Sequence, residues 1–155
     1  MEQRRVESTL PGMSDLDCPQ LLAVVYEDWQ RGDFQQRFDV YADSFEWGFS
    51  EEFPDPHVGP DPELRSARLR NWLSSWRDWC CFAEGFVEHA DKVVVLTRYT
   101  GTAKASGVKV EQSGAHVWTI KDERAMRLEI YADRRRAFED IGIAPEDVPS
   151  RALGA

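Results

Sequence analysis

The chain has 155 residues, 42% hydrophobic and 30% charged, which suits one soluble globular domain with its own core. A net charge of −9 argues against nucleic acid and anionic membrane as partners, because both need a positive patch, and no apolar run reaches the length of a membrane span. The three cysteines, Cys18, Cys80 and Cys81, form no disulfide framework, and the N-terminus has no apolar signal core, so reduced thiols and a cytoplasmic location are expected.

Residues 1–14 are polar and read as a flexible tail ahead of a domain over residues 15–144, with residues 145–155 as a C-terminal tail. A first helix is expected from Cys18-Pro19, with Leu21, Leu22, Val25, Tyr26 and Trp29 as its buried stripe and Gly32 as its stop. Asp33 can cap a second, short helix on which Phe34, Phe38 and Tyr41 share a face. Ser44 to Phe49 alternates as a strand, with Phe45, Trp47 and Phe49 on one side, where they form core or line an apolar cavity. Pro54, Pro56, Gly59 and Pro60 mark a loop that holds His57.

Asp61-Pro62-Glu63 opens a third helix with a cap, an N-terminal proline and an acid at the positive end of the dipole. Leu69, Trp72, Leu73 and Trp76 have the spacing of its buried face. Arg65, Arg68, Arg70 and Arg77 fall on the remainder and read as solvated rather than anion-binding. Strands then dominate: Cys81 to Glu88, a break at His89-Ala90-Asp91, and the β-branched run from Lys92 to Lys104. After Asp133 a short helix is expected, with Ala137, Phe138 and Ile141 facing inward and Gly142 ending it.

Between these lies Val108 to Asp133, two strand-like runs around Lys121-Asp122-Glu123-Arg124. A two-residue loop at Asp122-Glu123 sets Lys121 against Arg124, and unbroken alternation then pairs Val117 with Leu128, Ala115 with Ile130 and Thr119 with Met126. The other face would pair His116 with Glu129, Trp118 with Arg127 and Gln112 with Asp133, and would also carry Tyr131. His116 beside Glu129 has the chemistry of an acid/base pair, in which the carboxylate fixes the imidazole tautomer. A surface cross-strand ion pair worth about 0.2–1 kcal/mol, or an inert buried hydrogen-bonded pair, accounts for the same pattern. No CxxC, HExxH or glycine-rich phosphate loop is present, so neither metal nor cofactor is expected.

The segments DWQRGDFQQRFDVYADSFEW, LRNWLSSWRDW and above all SGVKVEQSGAHVWTIKD, YADR and AFEDIGI resemble the SnoaL-like branch of the nuclear transport factor 2-like superfamily, over residues 16–144. The resemblance implies an α+β fold: a cone-shaped, curved antiparallel sheet wrapped around three N-terminal helices, with a pocket between them and frequent dimers. Members include polyketide cyclases, ketosteroid isomerases, epoxide hydrolases and dehydratases. Matching Gly32-Asp33 and Tyr41-Ala42-Asp43 to similar isomerase residues sets the isomerase tyrosine on Val25, one place from Tyr26. Its base then falls on Phe49 and its protonated acid on His116. Phe49 takes no proton, so that reaction is not expected.

The cyclase resemblance implies an acid/base on the late strands, where His116, Glu129 and Asp133 stand. The hydrolase resemblance implies an Asp-Arg-Asp group that Arg98 and Asp133 mimic in part. The expected ligand is a small apolar or aromatic molecule, contacted by Trp47, Phe49, Trp72, Trp76, Arg98, Gln112, Trp118 and Tyr131. The alternative is a non-catalytic dimeric ligand-binding or assembly module. A homodimer through the sheet would bury the apolar hairpin face while the polar-aromatic face lines the pocket.

Overall fold

The computed structural model describes residues 20–34, 39–50, 57–59 and 61–148. Its elements in chain order are α1 (Gln20–Gln30), β1 (Tyr41–Phe49), β2 (His57–Gly59), α2 (Pro62–Leu73), β3 (Cys80–His89), β4 (Lys92–Thr102), β5 (Lys109–Lys121), β6 (Arg124–Tyr131), α3 (Arg134–Asp140) and a 3-10 turn (Pro145–Asp147). Among the described residues the strands form one curved, open sheet in the order β2-β1-β6-β5-β4-β3. The α+β class is as expected. The sheet is mixed rather than wholly antiparallel, because β1 lies parallel to β6. The other neighbours are antiparallel. The long stretch of chain between β1 and β6 permits a parallel pair, which a tight hairpin cannot make.

The helix ends follow local chemistry. Asp61 caps α2 by accepting from the Glu63 amide, and Pro62 sits in the first turn where no amide donor is needed. Asp133 caps α3 in the same way through Arg135. The expected short helix from Asp33 does not extend to Tyr41, which opens β1 and is buried. Asp33, Phe34, Asp39 and Val40 are not helical, and residues 35–38 with Phe38 lie outside the described residues, as do the caps proposed for α1.

The sheet has two buried faces, each with its own core. On the inner face Leu22, Val25 and Tyr26 of α1 pack with Tyr41, Phe45, Cys81, Phe86, Val93, Val95, Trp118 and Leu128. On the outer face Val94, Leu96, Ala115, Val117 and Tyr131 pack with Ala137 and Phe138 of α3 and with Val148. Of the hairpin residues read as one apolar face, Ala115 and Val117 are therefore covered by α3, while Leu128 and Ile130 pack on the inner face. Arg134 fastens that helix: 5% exposed, it donates to the Gly114 and Thr97 carbonyls and to Glu84 at 2.7 Å. Arg65 also departs from expectation. It is buried, donates to the Phe45 carbonyl and lies over the Phe45 ring, and burial lowers its pKa.

The hairpin turn is as expected, and the register beyond it is not. Lys121 faces Arg124 across Asp122 and Glu123, both with positive φ, as a type I′ turn requires. Ile120 then faces Ala125 while Thr119 faces Arg127, so Met126 is an extra residue. From there the strand is shifted by one. Trp118 opposes Leu128, Val117 opposes Glu129, His116 opposes Ile130 and Ala115 opposes Tyr131.

Candidate functional site

This one-residue shift decides what surrounds His116. Its neighbour across the ladder is Ile130, and Glu129 and Tyr131 go to the outer face with Val117 and Ala115. The expected His116–Glu129 pair does not form. Glu129 instead lies 3.9 Å from Arg127, which bonds Glu46 at 2.8 Å. His116 is 2% exposed and is held by two tyrosines distant in sequence. Tyr26 Oη lies 2.6 Å from Nδ1, and Tyr99 Oη lies 2.6 Å from Nε2. Trp118 Nε1 donates to Tyr26 Oη at 2.8 Å, so four side chains from α1, β4 and β5 form one hydrogen-bonded chain.

Each member is placed by its element. Tyr26 lies on the buried stripe of α1 with Leu22 and Val25. His116 and Trp118 are two residues apart on β5 and point to the same face. Tyr99 comes from β4 and stacks on Trp79 at 5.4 Å. The one-place offset from the isomerase match had set Tyr26 aside. Tyr26, not Val25, reaches His116.

Burial controls the protonation states here. Desolvation by burial lowers the His116 pKa to about 3, so the imidazole is neutral in neutral solution. Burial raises the pKa of Tyr26 and of Tyr99, so both phenols keep their protons. Burial likewise pushes the Cys81 thiol up, which leaves it unreactive.

Around this chain the inner face is aromatic. Trp29 stacks on Phe34 at 5.8 Å and meets His116 edge-on at 5.7 Å. Trp47 contacts Phe49 at 5.4 Å, and Arg68 lies over Phe49. Trp72, Trp76 and Trp79 form a cluster with centroids 4.6–5.6 Å apart, and Tyr99 joins it to His116. Trp72 is 47% exposed rather than buried on the helix, and Trp76 lies past the helix end, bridged to Ala103. Gly101 lets the cluster lie flat on β4, because a Cβ there would sit 2.6 Å from the Trp79 ring.

The remaining predicted site residues are dispersed. Trp118 is fully enclosed and supports Tyr26. Gln112 is exposed and pairs with Tyr99 across the ladder. Arg98 bonds Glu84 and Glu111 and lies over Phe82. Asp133 is exposed at the α3 cap, where its carboxylate accepts from the Arg135 amide. Tyr131 donates to Asp140 at the rim of an outer recess of about 310 Å³, which Lys92, Arg127 and Glu129 also line. Sequence reading missed Tyr99 and Trp79 and ranked Tyr26 as core. A phenol on an otherwise apolar helix stripe was the available signal, since a buried tyrosine hydroxyl needs a partner.

The SnoaL-like domain family model matches residues 23–128. No match was found among curated proteins. Among solved structures, an NTF2-like protein of unknown function from Burkholderia pseudomallei is 21% identical, with a TM-score of 0.61, over 79% of this chain and 95% of that one. TerC co-crystallised with polyporic acid is 20% identical, with a TM-score of 0.61, over 78% and 94%. An NTF2-like protein from Burkholderia thailandensis is 24% identical, with a TM-score of 0.59, over 74% and 88%. The family model spans more than half of the chain, so the chain belongs to the SnoaL-like domain family, and it shares the fold of these solved structures.

Proposed function

We propose that the protein binds a small, flat, largely apolar molecule against the aromatic inner face of its sheet, with the Tyr26–His116–Tyr99 chain as the polar floor of a pocket. The observation that carries this reading is the convergence of Trp29, Phe34, Trp47 and the tryptophan cluster around one buried hydrogen-bonded group. Binding sites of this kind are mostly apolar, with few polar groups that fix orientation. TerC, with the same fold, was co-crystallised with polyporic acid, which makes that molecule a sensible first probe.

Both nitrogens of His116 are engaged by protonated phenols, and the imidazole is neutral and hard to protonate. This favours a binding and orienting role over proton transfer. Any acid/base chemistry through Glu129 would need it on the other face of the sheet. The test is a titration with polyporic acid followed by tryptophan fluorescence. Saturable one-to-one quenching that weakens in Trp29→Ala is expected. Linear, non-saturating quenching that is equal in both proteins would end the proposal.

A further inference from the structure

The hydrogen-bonded chain has a direction, which follows from counting protons. An indole nitrogen only donates, a phenol has one hydrogen to give, and a neutral imidazole donates from one nitrogen and accepts at the other. Trp118 Nε1 donates to Tyr26 Oη. Two arrangements then remain. In one, Tyr26 donates to Nδ1 and Nε2–H donates to Tyr99. In the other, Tyr99 donates to Nε2 and Nδ1–H donates to Tyr26, whose own hydrogen is left over.

The second arrangement buries a hydroxyl hydrogen for which no acceptor is found among the described residues. Tyr26 is 4% exposed, and the rings of Trp29, Phe86, His116 and Trp118 surround it. A buried donor left unpaired carries the full cost of its desolvation. The first arrangement moves the surplus hydrogen to Tyr99, which is only partly buried and stands beside the Trp79 ring. Trp76 Nε1 in the cluster has no hydrogen-bond partner among the described residues, and the Thr97 hydroxyl, two residues earlier on β4, is close enough to interact with the Tyr99 phenol.

We propose that His116 is held as its Nε2–H tautomer and that Tyr99 is the ligand-contacting residue, giving its hydroxyl hydrogen to a neutral carbonyl oxygen on a flat aromatic ligand. This rests on the pocket reading above. Every group hydrogen-bonded to Tyr99 or His116 is uncharged, which suits a ketone or quinone carbonyl better than a carboxylate. His116, Tyr26 and Trp118 are positioning residues: they orient the phenol without touching the ligand.

The experiment has two arms. Nitrogen-15 NMR of the histidine side chains reads the tautomer with no ligand present. Protonation at Nε2 is expected, and protonation at Nδ1 overturns the direction of the chain. In the second arm, fluorenone and its hydrocarbon counterpart fluorene are titrated into the wild type and Tyr99→Phe. A single neutral hydrogen bond of about 0.5–1.5 kcal/mol corresponds to a preference for the ketone of roughly twofold to tenfold. That preference is expected in the wild type and is lost in Tyr99→Phe, with fluorene affinity unchanged. Equal preference in both proteins, or none in the wild type, overturns the role of Tyr99. Binding of neither molecule overturns the pocket reading and this role with it, while the tautomer is decided by the first arm alone.

Discussion

At the scale of single residues, the buried imidazole makes folding sensitive to acid. A histidine ordinarily titrates at 6.5, and His116 in the folded protein titrates at about 3. Below the ordinary value the unfolded chain takes up a proton that the folded chain refuses, so stability falls as pH drops from 6.5 and levels off near 3. At pH 5 the loss from this residue is about 2 kcal/mol, taking about 1.4 kcal/mol per pH unit. Urea unfolding at pH 7 and pH 5 checks it, and the difference between the two shrinks by that amount in His116→Gln. The same chain predicts unequal costs for its two phenols. Tyr26→Phe strands both the Trp118 indole and Nδ1, whereas Tyr99→Phe strands only Nε2–H. At about 1–3 kcal/mol for each buried group left unpaired, Tyr26→Phe should be the more destabilising by about that amount in urea. Equal losses would mean that the chain is not ordered as described.

At the scale of elements, the two tight hairpins use residues poorly suited to their backbone. Asp122 and Glu123 at the β5–β6 turn, and Ala90 at the β3–β4 turn, have positive φ. Left-handed backbone costs an ordinary residue about 1–2 kcal/mol, and glycine gives back part of that in chain entropy. Glu123→Gly should therefore raise stability by about 0.5–1 kcal/mol, read as a higher urea midpoint. Gly101→Ala should act oppositely. Its Cβ would meet the rigid rings of Trp79 and Trp76, so a loss of about 1–3 kcal/mol and an altered near-ultraviolet dichroism of the tryptophan cluster are expected.

At the scale of the molecule, α3 makes the outer face of the sheet a second interior. Ending the chain at Asp133 would uncover Val94, Leu96, Ala115 and Val117 together. Light scattering and dye binding should then report more association than in the full chain. Much of this architecture was legible in the sequence. Periodicity located α1, β4, β5 and α3, because each buries a regular stripe, and Asp61-Pro62 announced α2. The partners of His116 were not legible. Tyr26 lies 90 residues away and Tyr99 lies 17 away on another strand, and only folding brings them together. Arg65 was misread because a charge that donates to a backbone carbonyl and lies over an aromatic ring leaves no local pattern. The face of Glu129 was misread because nothing in alternation announces an extra residue at Met126.

That extra residue has a consequence for how the gene can lose a codon. Every pair from Lys121–Arg124 to Ala115–Tyr131 forms without any contribution from Met126. A deletion of Met126 would bring Ala125 and Arg127 into ordinary succession and leave Leu128, Ile130 and Tyr131 on the faces they already hold. Deleting Leu128 instead would exchange inside for outside along one arm of the strand. Of these two in-frame losses, two residues apart and opposite in effect, only the first keeps the faces of the strand.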